Sequence, residues 1–198
     1  MIKALLFICS FLTCQNVIAQ QTIAVHFLYG SKPANKHKTS ETKWFGGKKG
    51  GHVTIETGDS IIGFQPGGKC HLFGKKKNAN GYFSNEEKQN WIKDTATLKY
   101  TSIIIPIDEG NYLKVKTVVD KYLKQSPYDY AVFGMRCAAA TYDVLEETGI
   151  VKKRSLLGKW TSYFYPQLLR RRLLKIANTK NYTVIKNKGR NSRKWEKE

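Results

Sequence analysis

The spacing of apolar residues changes near residue 110, and this change limits the fold more than any other feature. Before it, short runs rich in Val, Ile, Phe and Tyr are separated by loops rich in Gly and Lys, which is typical of β-strands. After it, apolar residues recur every three or four positions, which is typical of amphipathic helices. The sequence therefore predicts an α+β protein in which an antiparallel sheet packs against helices.

Turn and capping signals give the boundaries of the predicted elements. Ser84, with Glu87 three residues later, matches a capping box, Pro106 is expected to end a strand, and Gly149 is expected to end a helix in the left-handed conformation. Residues 30–51 and 66–82 are predicted to be loops. The predicted strands are residues 22–29, 52–56, 60–65, 98–105 and 182–186, and the predicted helices are residues 84–94, 111–125, 137–148 and a last one from Pro166.

The first nineteen residues have the composition of a secretory signal peptide. Lys3 precedes an apolar stretch that is too short to span a bilayer, and cleavage is expected after Ala19. We therefore expect an exported protein, periplasmic or extracellular, with a lipoprotein signal or a retained anchor as the alternatives. The remaining chain predicts a single domain over residues 20–186, with a core (22–150), a basic C-terminal extension (151–186) and then a flexible basic tail (187–198).

The formal charge of +19 is concentrated near the C-terminus. After Ile150, fifteen Lys and Arg residues stand against two Glu residues, a net charge of +13. Such a region attracts an anionic cell-wall or membrane surface, and the helix with Arg170, Arg171 and Arg172 is the expected contact because its apolar face would lie on a membrane. A solvated face that only aids solubility is the alternative. The sequence has no nucleic-acid-binding motif, so a specific nucleic acid is not an expected partner.

Cys137 is the first candidate for chemistry because it is predicted to open a helix and to point towards the sheet. Unpaired N–H groups at a helix start, together with the charge of Arg136, favour a thiolate and would stabilise an oxyanion. A small buried side chain that only fills the core is the alternative. Without the predicted signal peptide, Cys70 is the only other cysteine. No disulfide framework, metal site or cofactor is therefore predicted.

His52 is the candidate base, since a cysteine nucleophile requires one. It begins a strand directly after two glycines, and a two-residue turn at Gly58-Asp59 would place it opposite Gln65, whose amide would orient the imidazole. A three-residue turn would place Phe64 there instead, and a polar strand edge that faces solvent would equally explain His52. His26 is expected to be a core histidine with satisfied hydrogen bonds.

The order of these motifs resembles that of a known fold. GGHVTIE, then GFQP, and later PYDYAVFGMRCAAATYDVLEETG are similar to the pattern of circularly permuted papain-like proteins, which include permuted NlpC-like cysteine peptidases and amidases and lecithin retinol acyltransferase-like proteins. The resemblance covers residues 22–150. It implies that Cys137 is the nucleophile, that His52 is the base, that Gln65 is the third polar group and that Tyr128 contacts substrate. Arg136 stands where the family usually has Asn, and it is expected to contact substrate too.

Three functions are compatible with this resemblance. The first is an exported cysteine hydrolase of the amidase or peptidase type, directed at a peptide or acyl substrate such as a cell-wall peptide amide. The second is a lipid-directed thiol acyltransferase or lipase on the same fold. The third is a secreted protein without catalytic activity that binds anionic polymers or membranes through its basic C-terminus.

Overall fold

The structure is a computed structural model that describes residues 21–30, 50–68, 70–75, 77 and 79–190. The predicted signal peptide, most of the loop predicted for residues 30–51 and the end of the predicted tail lie outside the described residues. Within the described part of the chain, no helix is long and apolar enough to cross a membrane.

Eight strands form two sheets. The large sheet has six strands in the order β5-β3-β2-β1-β6-β8, and every neighbouring pair in it is antiparallel. The small sheet consists of β4 and β7, which are parallel. The strands are β1 Gln21–Tyr29, β2 Gly51–Thr57, β3 Ser60–Pro66, β4 His71–Phe73, β5 Gly81–Glu87, β6 Tyr100–Ile107, β7 Ala131–Phe133 and β8 Thr183–Asn187.

Five helices lie among the described residues, and four of them pack against the large sheet, so the predicted α+β class with an antiparallel sheet is confirmed. Since side chains alternate between the faces of a sheet, one face carries the buried side chains Val25, Val53, Ile55 and Ile103. We call it the helix face, because α2, α3 and α5 pack on it. The opposite face, the α1 face, carries His26, against which Trp91 of α1 packs. The helices are α1 Lys88–Thr95, α2 Glu109–Lys124, α3 Cys137–Glu147, α4 Leu156–Ser162 and α5 Pro166–Lys180.

The β2–β3 hairpin has the predicted register. Thr57 pairs with Ser60, so the turn consists of Gly58 and Asp59, and Gly58 has the positive φ of 61° that such a turn requires. The pairing between the two strands continues only to Thr54 and Gly63. Beyond that pair, the ends of β2 and β3 are not held together by ladder hydrogen bonds.

The helix predicted for residues 84–94 is wrong in its first half. Residues 81–87 form β5, and the helix begins only at Lys88. Ser84 does not cap a helix, because its hydroxyl donates to the carbonyl of Gly63 in the neighbouring strand. The reason is tertiary: Phe83 is buried, and its ring lies 5.0 Å from that of Phe64. Burying this ring in the sheet outweighs the local capping signal.

The ends of two other predicted elements also differ. β6 continues past Pro106 to Ile107, because β8 pairs with β6 only as far as Ile104 and leaves Pro106 without a partner on that side. The tail predicted to begin at residue 187 begins later, since Asn187 still belongs to β8 and Arg190 forms a β-bridge with Leu98. The strands β4 and β7 and the helix α4 were not predicted from the sequence.

The C-terminal extension is part of the main core. The apolar face of α5 is buried against the sheet through Leu169, Leu173 and Ala177, and β8 forms one edge of the sheet. Arg170, expected from the sequence to contact an anionic surface, is also buried, and its guanidinium lies 3.8 Å from the ring centroid of Tyr29. The apolar face of this helix is therefore not available to a membrane, and of the three arginines only Arg171 and Arg172 are exposed.

Candidate active site

Cys137 is the first residue of α3, as predicted from the sequence. Its N-cap residue is Arg136, which has an extended backbone and makes no side-chain capping hydrogen bond. The three alanines that follow have small side chains, so α3 approaches β2 and β3 closely and its first turn is buried. The Cys137 side chain is only 4 % exposed and belongs to the core on the helix face.

Burial is the strongest influence on the Cys137 thiol, and it raises the pKa. The charge of Arg136 and hydrogen bonds from the backbone N–H groups of Val53 and Ala138 and from the Tyr130 hydroxyl all act to lower the pKa, but they do not offset the burial. The helix start and Arg136 therefore favour the thiolate as expected, but burial outweighs them in the resting protein. The thiol is protonated at neutral pH.

His52 and Gln65 are brought together as the hairpin count predicted. Gln65 Nε2 lies 3.0 Å from His52 Nε2. Burial of the His52 ring lowers its pKa from 6.5 to about 4, so the imidazole is neutral at pH 7. If the amide presents its oxygen to this ring nitrogen, Nε2 donates the hydrogen bond and Nδ1 keeps a free lone pair. With the amide nitrogen in that place, the ring proton is on Nδ1 instead.

His52 and Cys137 approach the same end of β2 from different faces. A side-chain carbon placed at Gly63 would lie 2.9 Å from His52 Nε2 and 3.1 Å from Thr54 Cγ2, so the imidazole lies over Gly63 on the α1 face. The thiol lies on the helix face, beside the N–H of Val53, the residue that follows His52. Among the described residues, no hydrogen bond joins the thiol to the imidazole. The site between them is the unpaired end of β2 and β3.

Tyr130, rather than Tyr128, is the aromatic residue at the thiol. Burial raises the pKa of the Tyr130 hydroxyl, the nearby Cys137 sulfur raises it further, and the Arg136 guanidinium partly offsets both. Tyr130 was not predicted as a site residue from the sequence. It lies two residues after Tyr128 in the same motif, and in an extended segment the two side chains would point to the same side.

Tyr128 supports the fold around the site. Its hydroxyl donates to Asp143 of α3 over 2.6 Å, and its ring packs edge-on against Phe64 at 5.6 Å. Burial and the carboxylate of Asp143 raise the pKa of this hydroxyl strongly, so it is a fixed donor. The hydroxyl is therefore already occupied by a protein partner, and a substrate contact of Tyr128 would involve its ring.

Arg136 has one guanidinium nitrogen that no described residue satisfies. Its guanidinium lies 4.5 Å from the ring centroid of Phe164, and its Nη1 is buried without a hydrogen-bond partner. A buried donor without a partner is costly, and it is often found where a ligand binds. Its position next to Cys137 is consistent with the substrate contact that the resemblance implied.

The other histidines of the described residues have separate roles. His26 bonds Ser102 Oγ at 2.7 Å and Glu56 at 3.0 Å on the α1 face, which confirms it as a core histidine with satisfied hydrogen bonds. His71 bonds the buried carboxylate of Asp129 at 2.6 Å. No group of three or more His, Cys, Asp or Glu side chains in the described part of the chain is arranged to hold a metal ion.

Comparisons with protein-family models, with curated proteins and with solved structures found no match to this chain. The resemblance to permuted papain-like proteins therefore stays a prediction, and the function has to be argued from the residues around Cys137 and His52.

Proposed function

We propose that this protein is a cysteine hydrolase that cleaves a carboxylic amide or ester, with Cys137 as nucleophile and His52 as base. The observation that supports the proposal most is the set of groups around the Cys137 thiol. The backbone N–H groups of Val53 and Ala138, the Tyr130 hydroxyl and the Arg136 guanidinium all lie near enough to one buried sulfur to lower its pKa. A core cysteine that only fills space does not need donors of this kind, whereas a nucleophile that generates an oxyanion requires them.

The proposed reaction begins with a neutral thiol and a neutral imidazole. Cys137 Sγ attacks the carbonyl carbon of the substrate while its proton moves to the unprotonated ring nitrogen of His52. The oxyanion accepts hydrogen bonds from backbone N–H groups at the start of α3. The leaving amine or alcohol takes the proton from His52, and an acyl thioester forms. Water then attacks the thioester, again with His52 as base, and the carboxylic acid and the free thiol are released.

Gln65 is the positioning residue in this scheme. We propose that its amide oxygen accepts the His52 Nε2 proton, which leaves Nδ1 free to receive the proton of the thiol. In this scheme the imidazole would reach the thiol at the end of β2 and β3 that lies beyond the last ladder pair, Thr54 and Gly63. Arg136 Nη1, which is buried without a partner, would bind the substrate beside the scissile bond.

Thiol alkylation of the full-length mature chain tests the pair directly. Iodoacetamide labelling is followed by mass spectrometry, which separates Cys137 from the exposed Cys70, an internal reference on the same molecule. Because His52 would remove the thiol proton during attack, His52→Ala should slow labelling of Cys137 at pH 7 at least tenfold. Labelling of Cys70 should not change, and His71→Ala, a matched histidine variant, should leave Cys137 labelling unchanged.

Hydrolysis of activated esters and amides gives the second measurement. Turnover should be lost in Cys137→Ala and should fall about 10²–10⁴-fold in His52→Ala, the range of general-base catalysis. The proposal is wrong if Cys137 is labelled only after unfolding, or if its labelling rate does not depend on His52. In that case Cys137 is a core residue, and the third function, binding through the basic C-terminus, becomes the better hypothesis.

A further inference from the structure

The small sheet ends in three exposed apolar side chains, which we call the β4–β7 tip: Leu72, Phe73 and Phe133. They are 56 %, 63 % and 52 % exposed. Phe73 pairs with Phe133 across the two parallel strands, and the two rings stack with their centroids 5.5 Å apart. Three large apolar side chains at one exposed site are unusual for a surface that faces only water.

The other end of the small sheet is firmly attached to the protein. His71 pairs with Ala131, which is fully buried, and the His71 ring is held by Asp129. Asp129 also accepts hydrogen bonds from the backbone N–H groups of Lys75 and Asn80, so the segment that follows β4 is held by the same carboxylate as His71. The tip is therefore an apolar projection on a rigid base.

The tip is apolar on both of its faces. Leu72 and Phe73 are neighbours in one strand, so their side chains point to opposite sides of the small sheet. Both side chains are more than half exposed. A flat protein surface would cover only one side of such a projection, whereas the hydrocarbon region of a bilayer surrounds it.

Exposed lysines lie next to the β4–β7 tip. Lys75 and Lys77 are exposed and follow β4 directly. A cavity of about 760 Å³ opens beside them, and its lining joins Gly74 and Lys75 to Lys121 and Lys124 of α2 and to the exposed Leu156 of α4. The acidic group in this lining is Asp129, and it is already bound to His71. The surface around the tip is therefore cationic.

We propose that the β4–β7 tip inserts into the surface of an anionic phospholipid bilayer. The two phenylalanines and Leu72 enter the boundary between headgroups and acyl chains, while Lys75, Lys77, Lys121 and Lys124 contact the lipid phosphates and anionic headgroups. This site differs from the C-terminal helix expected from the sequence, whose apolar face is buried. It does not depend on the proposed hydrolase activity, so Cys137→Ala should bind membranes as the wild type does.

Co-sedimentation of the full-length mature protein with vesicles tests this proposal. One set of vesicles contains phosphatidylcholine alone, and the other contains equal parts of phosphatidylcholine and phosphatidylglycerol. The wild type should bind the anionic vesicles at low salt and more weakly at high salt. The double variant Phe73→Ser with Phe133→Ser should lose at least tenfold in affinity, while Leu113→Ser, a similarly exposed apolar residue on α2, should bind like the wild type. Lys124→Glu should weaken binding by about fivefold or more.

A spectroscopic variant measures insertion itself. The tryptophan emission of Phe73→Trp minus that of the wild type gives the fluorescence of the new side chain alone. This emission should shift to shorter wavelength when anionic vesicles are added, and brominated lipids should quench it. The proposal is overturned if the wild type does not bind anionic vesicles, or if the double phenylalanine variant binds as tightly as the wild type. It is also overturned if only the double variant Arg171→Glu with Arg172→Glu loses binding, because α5 would then be the membrane contact. A third contrary result is a wild-type dimer that the tip variants convert into a monomer, because the tip would then bind a second copy of the protein.

Discussion

A neutral thiol and a neutral imidazole on the two faces of β2, as in Cys137 and His52, depend on pH differently from a thiolate–imidazolium pair. In this protein, burial moves the two pKa values apart: that of Cys137 rises and that of His52 falls to about 4. Over the physiological range neither group is charged, and the energetic cost of placing a charge in the core is avoided. Charge would develop only during the reaction, when the donors around the sulfur can stabilise it.

The pKa of His52 predicts a loss of stability in acid. Above pH 6.5 the ring is neutral in both the folded and the unfolded chain. As the pH falls from 6.5 towards 4, the unfolded chain binds a proton and the folded one does not, so the free energy of unfolding decreases. The difference in pKa corresponds to at most about 3 kcal/mol, and to about 2 kcal/mol if partial exposure of the ring is allowed for.

Urea unfolding of wild type and His52→Asn at pH 7 and pH 4 measures this contribution. The asparagine does not titrate, so the variant should lose about 2 kcal/mol less than the wild type between the two pH values. Equal losses in the two proteins would show that His52 titrates normally and that the proposed neutral pair is not formed.

The absence of a side chain at Gly63 makes room for the imidazole of His52. In Gly63→Ala the new methyl group would lie 2.9 Å from His52 Nε2. The imidazole has to move, because it is the flexible end of the His52 side chain. We expect the ring to rotate away from Gln65 at a cost of less than about 1 kcal/mol in stability, while turnover and His52-dependent labelling of Cys137 fall at least tenfold.

The matched control is Gly68→Ala, where a new methyl group meets nothing within 4 Å. It should keep both the stability and the activity of the wild type. If Gly63→Ala is also fully active, the position of the ring over Gly63 does not matter to the reaction, and Gln65 is not a positioning residue.

At the scale of elements, α4 is a short helix held by a buried lysine. Lys159 forms ion pairs with Asp143 and Glu146 of α3, the latter at 2.8 Å, and all three side chains are at most 8 % exposed. Tyr122 of α2 and Tyr128 also donate to Asp143. One carboxylate of α3 therefore connects α2, α4 and the segment before Cys137.

Lys159→Ala should be strongly destabilising, because it leaves two buried carboxylates without their cation. We expect the free energy of unfolding to fall by about 3–5 kcal/mol, measured by urea unfolding at pH 7. Lys152→Ala, at an exposed lysine of the preceding loop, should change it by less than about 0.5 kcal/mol. The triple variant Lys159→Met, Asp143→Asn and Glu146→Gln removes the two carboxylate charges as well. If its free energy of unfolding is no higher than that of Lys159→Ala, then lost packing rather than unpaired charge explains the effect.

Elements with a strong local pattern were predicted well, and those fixed by distant contacts were not. The turn at Gly58 and Asp59 set the register of β2 and β3, so counting along the sequence correctly brought His52 to Gln65. β5 was mistaken for a helix because Ser84 and Glu87 have the spacing of a cap, whereas the position of Phe83 in the core decides the outcome. Short strands such as β7 are defined by their partners, and no periodicity in three residues predicts them.

For the candidate site, the sequence indicated residues but not their electrostatics. Chemical type and motif order indicated Cys137, His52 and Gln65. The depth of burial determines their pKa values, and burial depends on how α3 packs against the whole sheet. The burial of Arg170 was not predicted for a similar reason: a helical pattern gives the apolar face of α5, but not that the Tyr29 ring covers the arginine beside it.

At the scale of the whole molecule, the C-terminal extension cannot be separated from the core predicted for residues 22–150. It supplies α5, whose buried leucines fill the helix face, and β8, which pairs with β6. A chain that ends at Ile150 would expose this apolar surface and the β6 edge to water.

We therefore expect the chain truncated after Ile150 to lack a cooperative thermal transition and to accumulate as insoluble protein. A chain truncated after Arg190 keeps every contact described here and should unfold cooperatively, with a circular dichroism spectrum like that of the full-length protein. A soluble, cooperatively folded product that ends at Ile150 would contradict this picture and would restore the extension as an independent appendage.

The ends of the segment that connects β1 and β2 are held together, and this has a consequence for how the segment can change. Gly30 N–H donates to the carbonyl of Gly50 at 3.2 Å, and a side chain at Gly51 would collide with the carbonyl of Leu28, so the chain leaves and re-enters the sheet at one point beside His52. Doubling the length of a segment closed in this way costs only about 0.6 kcal/mol. Segments of different length and composition are therefore exchangeable here without a change of strand register, which makes this junction a natural place for new specificities to be grafted next to an unchanged histidine.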